Sequence, residues 1–141
     1  MSRPAQVPLG LCLARVARTV SRAFEDALAA AGGSQPVWLV LISLKNGQPA
    51  NQRELATAVG VREATLTHHL NAMEAADLVT RRRDPGNRRV HLVELTAAGD
   101  ELFFRLAGAA SAFDAKLRAG LSEHEDGQLR ELLGRLRDNV T

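Results

Sequence analysis

The sequence is poor in cysteine and in aromatic residues, since its 141 positions hold one cysteine, one tryptophan, four phenylalanines and no tyrosine. A single cysteine excludes an intrachain disulfide framework and any zinc or iron–sulfur site that needs several cysteines of one chain. The shortage of aromatic residues disfavours a β-sandwich, whose strands are rich in aromatic and β-branched side chains. No apolar run approaches the ~20 residues that a transmembrane helix needs, so we expect no membrane partner.

Alanine and leucine dominate the composition, with 23 and 21 copies, and both favour helices. The apolar stretch 7–16 invites comparison with a signal peptide. However, Arg15, Arg18 and Arg22 interrupt the apolar pattern, and Leu11 stands where a lipoprotein cleavage site needs a small residue. We interpret the stretch as the start of a helix and expect a cytoplasmic protein.

Apolar residues at steps of three and four predict a series of amphipathic helices. The predicted helices span residues 9–31, 37–44, 52–59 and 62–76, then run from Thr96 to a stop at Gly120 and from Ser122 towards the end of the sequence. Ser34, Asn51, Thr96 and Ser122 stand where a side chain can cap the helix that follows. Residues 46–49, Asn-Gly-Gln-Pro, predict a loop.

Two of these helices, 52–59 and 62–76, flank Gly60 with the spacing of a helix–turn–helix. Residues 78–80 and 90–95 then read as strands, and Asp-Pro-Gly-Asn at 84–87 suits a type II turn between them. A two-stranded wing directly after a helix–turn–helix describes a winged helix domain. The predicted fold class is therefore mainly α with a small antiparallel β-wing.

The first helix and the last two carry apolar stripes that a winged helix domain of this size cannot fully cover. We predict that both ends of the sequence form a helical dimerisation layer. Residues 1–33 would be the N-terminal dimerisation helix, 34–96 the winged helix DNA-binding domain and 97–141 the C-terminal dimerisation helices, all within one compact folding unit. The predicted dimer interface comprises Leu9, Leu13, Phe113, Leu117, Leu129, Leu132, Leu136 and Val140.

Positive charge is concentrated in one short segment, although the net charge is only +2. Residues 81–89 hold five arginines against one aspartate. Such a run is often a solvated face, but its position between two strands after a helix–turn–helix favours contact with nucleic acid.

Four stretches, in this order, resemble the MarR family of bacterial winged helix-turn-helix transcription regulators: 34–41, 51–61, 66–81 and 84–99. The resemblance implies a homodimer that binds a palindromic operator in double-stranded DNA, usually as a repressor that responds to a small-molecule effector. Two residues depart from the family pattern. Asn87 replaces the usual aspartate of an Asp-x-Arg motif in the wing, and Asp77 stands where a glycine often ends the recognition helix.

A helical wheel divides the second helix of the helix–turn–helix into two faces. Leu66, Leu70 and Met73 define the buried side. The outward half, which we expect to enter the major groove, comprises Ala64, Thr65, Thr67, His68 and Asn71. His68 points most directly outward, at a position where many members of the resembled family place an arginine, and histidine or asparagine can read a purine edge.

Several basic and polar side chains are expected to contact DNA outside the recognition helix. Arg89, and secondarily Arg88, are candidates for insertion into a narrow minor groove. The candidates for phosphate contacts are Arg81, Arg82, Arg83, Arg62 and Gln52, the last two near helix starts.

The sequence offers several candidate residues for an effector site. The resemblance implies a small aromatic or anionic effector, or an oxidant, and the candidate residues are Cys12, Arg15, Arg18, Arg22 and Trp38. Cys12 stands about where peroxide-sensing relatives place their reactive cysteine, but those relatives also use tyrosines, which this sequence lacks. A small buried hydrophobe is the alternative interpretation of Cys12.

Other classes of protein are disfavoured on specific grounds. The sequence has no glycine-rich phosphate loop, no zinc-binding histidine pair and no nucleophile elbow, so we expect neither an enzyme nor a metal or cofactor. A winged helix that binds DNA without sequence preference, as an architectural protein, remains the alternative function.

Overall fold

The computed structural model describes residues 6–47 and 50–141, which fold into six helices and three strands. The elements are α1 (Leu9–Ala30), α2 (Gln35–Asn46), β1 (Ala50–Asn51), α3 (Gln52–Val59), α4 (Glu63–Ala75), β2 (Val79–Asp84), β3 (Asn87–Leu95), α5 (Ala97–Leu117) and α6 (Glu123–Val140). This order confirms the predicted fold class and adds β1, a strand that the sequence did not reveal. Gln48 and Pro49 of the predicted loop lie outside the described residues.

The helices begin where the sequence places capping side chains. Ser34 and Asn51 accept hydrogen bonds from the backbone N–H of the residue three positions later, and Ser122 forms a capping box with Glu125. The turn between α3 and α4 depends on Gly60, whose φ of 81° lies in the left-handed region that glycine adopts without strain.

The wing differs in detail from its prediction. β2 and β3 pair in antiparallel register from Val79 opposite Leu95 to Asp84 opposite Asn87, so the arginines 81–83 lie within a strand rather than in a turn. The turn is not type II, because that type needs a positive φ at Gly86 and Gly86 has none. Instead the Asp84 carboxylate accepts a hydrogen bond from the Gly86 N–H at 2.9 Å, which closes the hairpin locally.

One hydrophobic core lies between the winged helix elements and the middle of α5. Its buried side chains are Leu28, Val40, Leu41, Leu44, Leu55, Ala56, Val59, Leu66, Leu70, Met73, Val79, Val93, Leu102 and Leu106. The predicted inward face of α4 is confirmed, since its three apolar residues are at most 2% exposed. In contrast, α6 contributes no buried residue to this core.

No single helix among residues 6–47 and 50–141 has both the length and the hydropathy of a membrane span. The pair α1 and α2, which meet at a bend of 74°, has that length and hydropathy only when the two helices are taken together.

A tight junction joins the end of α4 to the start of α5. Asp77, which stands where the resembled family often has glycine, adopts a left-handed φ of 61°, and its carbonyl accepts a hydrogen bond from the Thr96 hydroxyl. The Thr96 N–H donates to the Leu78 carbonyl at 3.1 Å, and the Thr96 hydroxyl caps Gly99 at 3.0 Å. A Cβ added at Gly99 would lie 2.0 Å from the Leu78 carbonyl oxygen, so this approach requires glycine.

We predict that Gly99→Ala lowers the free energy of unfolding by about 1–3 kcal/mol or more, because the new methyl group clashes with backbone that cannot move away. Gly108→Ala is the matched control in the same helix, where an added Cβ meets no atom within 4 Å. This control should leave stability unchanged or raise it by up to about 1 kcal/mol. Urea unfolding at one protein concentration measures both, and equal stabilities would contradict the junction.

Candidate nucleic-acid interface

The outward face of α4 is built from small and polar side chains. Ala64, Thr65, His68 and Asn71 are exposed, while Thr67 is half-buried. The Thr67 hydroxyl donates to the Glu63 carbonyl at 2.9 Å and accepts from Gln52 Nε2 at 3.4 Å, so the start of α3 is tied to α4. His69 is half-buried, with its ring centroid 5.9 Å from that of His68.

The tip of the wing carries cations without an acidic partner. Arg83, Arg88 and Arg89 are exposed, and within residues 6–47 and 50–141 no carboxylate lies within 4.0 Å of their guanidinium groups. The side chain of Asn87 accepts a hydrogen bond from the backbone N–H of Arg89 at 3.2 Å. Asn87 therefore shapes the wing backbone and leaves the Arg89 guanidinium free to contact a ligand.

Arg81 and Arg82 occupy different surroundings from those expected, because both are already paired within the protein. Arg81 donates through Nε and Nη2 to the two carboxylate oxygens of Glu74, each at 3.2 Å, and its side chain is only 19% exposed. Arg82 donates to the Glu94 carboxylate at 2.9 and 2.7 Å. These pairs were not expected from the sequence, and phosphate contacts by the two arginines stay a prediction.

Arg81 also makes a third contact, in which its Nη2 donates to Asn71 Oδ1 at 2.6 Å. Its side chain therefore bridges β2 to two residues of α4. The side-chain hydrogen bond from Arg81 lowers the pKa of Glu74, so the ionised carboxylate and its pair with Arg81 persist to lower pH than an isolated glutamate would allow. Sequence reasoning missed Glu74, because its pairing with Arg81 depends on how β2 lies against α4.

Two further candidates lie at helix starts. Arg62 immediately precedes α4 and is exposed, and its side chain forms no capping hydrogen bond. Gln52 is the first residue of α3. Backbone N–H groups and the positive end of the helix dipole favour anions at both places.

The candidate effector residues do not converge on one place within the protomer. Cys12 lines an apolar groove of about 460 Å³ between α1 and α6. Arg18 and Arg22 line a separate shallow cleft with Glu25, and Arg15 is exposed on α1.

Trp38 belongs to a third place, where its ring stacks on Phe103 with centroids 5.7 Å apart. Lys45 lies beside this pair, with its Nζ 5.5 Å from the Phe103 ring and 4.9 Å from the ring of Phe104, and it also pairs with Asp100. The adjacent phenylalanines on α5 were the sequence cue to this aromatic cluster, which sequence reasoning missed.

The predicted dimerisation residues form an apolar surface on the protomer. Leu9, Leu13, Leu117, Leu129, Leu132 and Val140 are between 40% and 84% exposed. Leu136 is half-buried, and Phe113 packs against Phe24 with centroids 5.1 Å apart. The structure adds to this surface the exposed apolar residues Leu11, Val16, Leu121 and Leu133.

Comparison with known proteins gives consistent matches. A sequence model described as the MarR family matches residues 34–91, from the start of α2 into β3. A curated relative from Bacillus subtilis (strain 168), described as the uncharacterized HTH-type transcriptional regulator YdgJ, is 31% identical over 112 residues. That match covers 79% of this chain and 68% of the relative.

Solved structures share the fold over nearly the whole length. The transcriptional repressor CouR, bound to a 23-mer DNA duplex, superposes with a TM-score of 0.84 at 24% identity and covers 96% of this chain and 99% of its own. The PcaV transcriptional regulator from Streptomyces coelicolor, in complex with its natural ligand, has a TM-score of 0.78 at 23% identity. That match covers 98% of this chain and all of the PcaV chain (100%).

We predict that Arg89→Ala weakens binding to duplex DNA and reduces the slope of log affinity against log salt by about 0.9 or less, the value for one phosphate contact. Arg105→Ala is the control, because Arg105 is also an exposed arginine but lies on α5, outside the helix–turn–helix and the wing. Fluorescence anisotropy across a salt titration measures both variants. Identical slopes for the two variants would show that the wing tip makes no phosphate contact.

Proposed function

This chain belongs to the MarR family of transcription regulators, and from that premise we propose that it is an effector-responsive repressor which binds a palindromic operator as a homodimer. The observation that carries the proposal is the combination of a small polar face on α4 with a neighbouring wing whose tip arginines lack acidic partners among the described residues. We propose further that it works in the cytoplasm, where a chromosomal operator would be, and that it catalyses no reaction.

The reading of DNA is assigned to two elements. The outward residues of α4 would meet base edges in the major groove, with His68 and Asn71 as hydrogen-bonding groups and the threonine methyls as apolar contacts. Arg88 and Arg89 would enter the flanking minor groove, whose negative potential attracts arginine where the groove is narrow. Arg62, Arg83 and Gln52 would fix the register through phosphates.

The homodimer is supported by the apolar surface of α1, α5 and α6. Because α6 has no fully buried residue, packing within its own protomer stabilises this helix only weakly. The exposed leucines of α6 and α1 line a common groove of about 460 Å³, and a second copy of the same surface would cover them. Two copies would then present two recognition helices to successive turns of a duplex.

For the effector, we propose only its chemical class. A small aromatic or anionic molecule suits the cations of α1 and the aromatic cluster around Trp38, where a positively charged Lys45 lies over two rings. PcaV, which shares the fold, is described in complex with a natural ligand.

Selection of bound sequences from a pool of random duplexes tests the proposed function. We expect a two-fold symmetric site with half-sites about one helical turn apart. His68→Ala should narrow the gap between affinity for the selected site and affinity for random DNA, because a base contact contributes only to the former. A wild-type protein that enriches no sequence would instead be an architectural DNA binder.

We predict that Leu132→Lys raises the dissociation constant of the dimer by about tenfold or more, because it places a charge on the exposed apolar surface. Glu131→Lys also adds positive charge to α6, but it lies about 100° around the helix from Leu132 and outside the apolar stripe, so it should leave the dimer intact. Sedimentation at micromolar concentration measures the mass of each variant. A wild-type protein that is monomeric there yet selects a palindrome would contradict the dimer.

A further inference from the structure

Asn71 lies on the outward face of α4, but its side chain is not free to rotate. Its Oδ1 accepts a hydrogen bond from Arg81 Nη2 at 2.6 Å, and Arg81 is mostly buried, with 19% of its side chain exposed. Among the α4 residues assigned to DNA, Asn71 is thus an exposed group whose orientation is fixed by the wing strand.

The chemistry of the guanidinium settles which end of the amide faces Arg81. An arginine has five N–H donors and no acceptor, so only the carbonyl oxygen of Asn71 can face it favourably. The amide nitrogen, Nδ2, must therefore point the other way. It carries two N–H donors, and this end of the amide is directed away from Arg81.

Arg81 is itself held in place from two sides. Its bidentate pair with the Glu74 carboxylate, at 3.2 Å for each oxygen, fixes the plane of the guanidinium. On β2, Arg81 is paired with Val93, which is fully buried, and directly paired residues point to the same face of a sheet. The Arg81 side chain therefore lies on the face of the wing that packs against α4.

We propose that Asn71 is a specificity-determining residue that acts as a hydrogen-bond donor and reads guanine in the major groove, with Arg81 and Glu74 as its positioning residues. Guanine presents two adjacent acceptors there, N7 and O6, which match the two N–H groups of Nδ2. This assignment rests on the proposed function and names the base edge that one residue of the interface reads.

The assignment differs from what a free asparagine does. An unconstrained asparagine pairs with adenine through both ends of its amide, donating to N7 and accepting from the N6 amino group. In this protein Oδ1 is turned towards Arg81, so its second lone pair faces the wing and is not presented to the N6 amino group, and the bidentate pairing with adenine is disfavoured. The bridge to the wing therefore converts a residue that reads adenine into one that reads guanine.

The experiment compares site selection from a random duplex pool by the wild type and by three variants, Asn71→Ala, Asn71→Asp and Arg81→Met. The position read by Asn71 is defined as the one whose base preference Asn71→Ala removes. At that position we expect guanine for the wild type, and we expect a 7-deazaguanine duplex to bind about fivefold more weakly. Asn71→Ala should bind both duplexes equally.

The other two variants test the orientation of the amide. Asn71→Asp keeps the contact with Arg81 but presents an acceptor to the base, so the preference should move from guanine to cytosine, whose N4 amino group is a donor. Arg81→Met frees Oδ1 and should let adenine rise at the same position. Gln128→Glu, an equivalent amide-to-carboxylate change at an exposed site on α6, should leave every base preference as in the wild type.

Each outcome has a distinct meaning. A wild type that selects no sequence overturns the proposed function and this assignment together. A wild type that selects an operator, while Asn71→Ala leaves every base preference unchanged, overturns the assignment alone. Adenine at the Asn71 position overturns the fixed orientation of the amide. Circular dichroism confirms that each variant is folded, and if Arg81→Met is not, Glu74→Gln, which weakens the same bridge, replaces it.

Discussion

The burial of one face of α4 is the constraint on which the rest of the structure depends. Leu66 and Leu70 are fully buried and Met73 nearly so, in a core that also includes α2, α3 and the wing strands. Because a helix has two opposite faces, fixing the apolar one decides which side chains face outward. The polar residues of α4 are thus presented to solvent by the same packing that holds the domain together.

The wing divides its arginines according to the alternation of a strand. Arg81 lies opposite buried Val93 and turns towards α4, whereas Arg82 lies on the other side and meets Glu94. Only beyond this region do the arginines reach solvent without an acidic partner within the described residues. Cations nearest the core therefore join elements of the protein, and cations at the tip remain available to an anionic ligand.

The order of the helices and the buried face of α4 could be predicted from the sequence, because capping residues and apolar periodicity act locally. Ser34, Asn51 and Ser122 marked helix starts, and the steps of three and four identified the buried face of α4. The pairing of Arg81 with Glu74 could not be predicted, since it depends on how a strand lies against a helix. The turn type was wrong for a similar reason, as the Asp84 carboxylate stabilises a conformation that a Pro-Gly pair alone does not specify.

The absence of buried residues in α6 has a consequence for how this protein responds to its own abundance. Within a lone protomer this helix is held by the capping box at Ser122, by the partial burial of Leu136 and by ion pairs such as Asp126 with Arg130. Exposed ion pairs of this kind contribute little. In the proposed homodimer the order of α6 would follow mass action, because each copy would cover the exposed apolar face of the other. Cellular copy number, and not sequence alone, would set the fraction of molecules in which the last 18 residues of helix are fully folded.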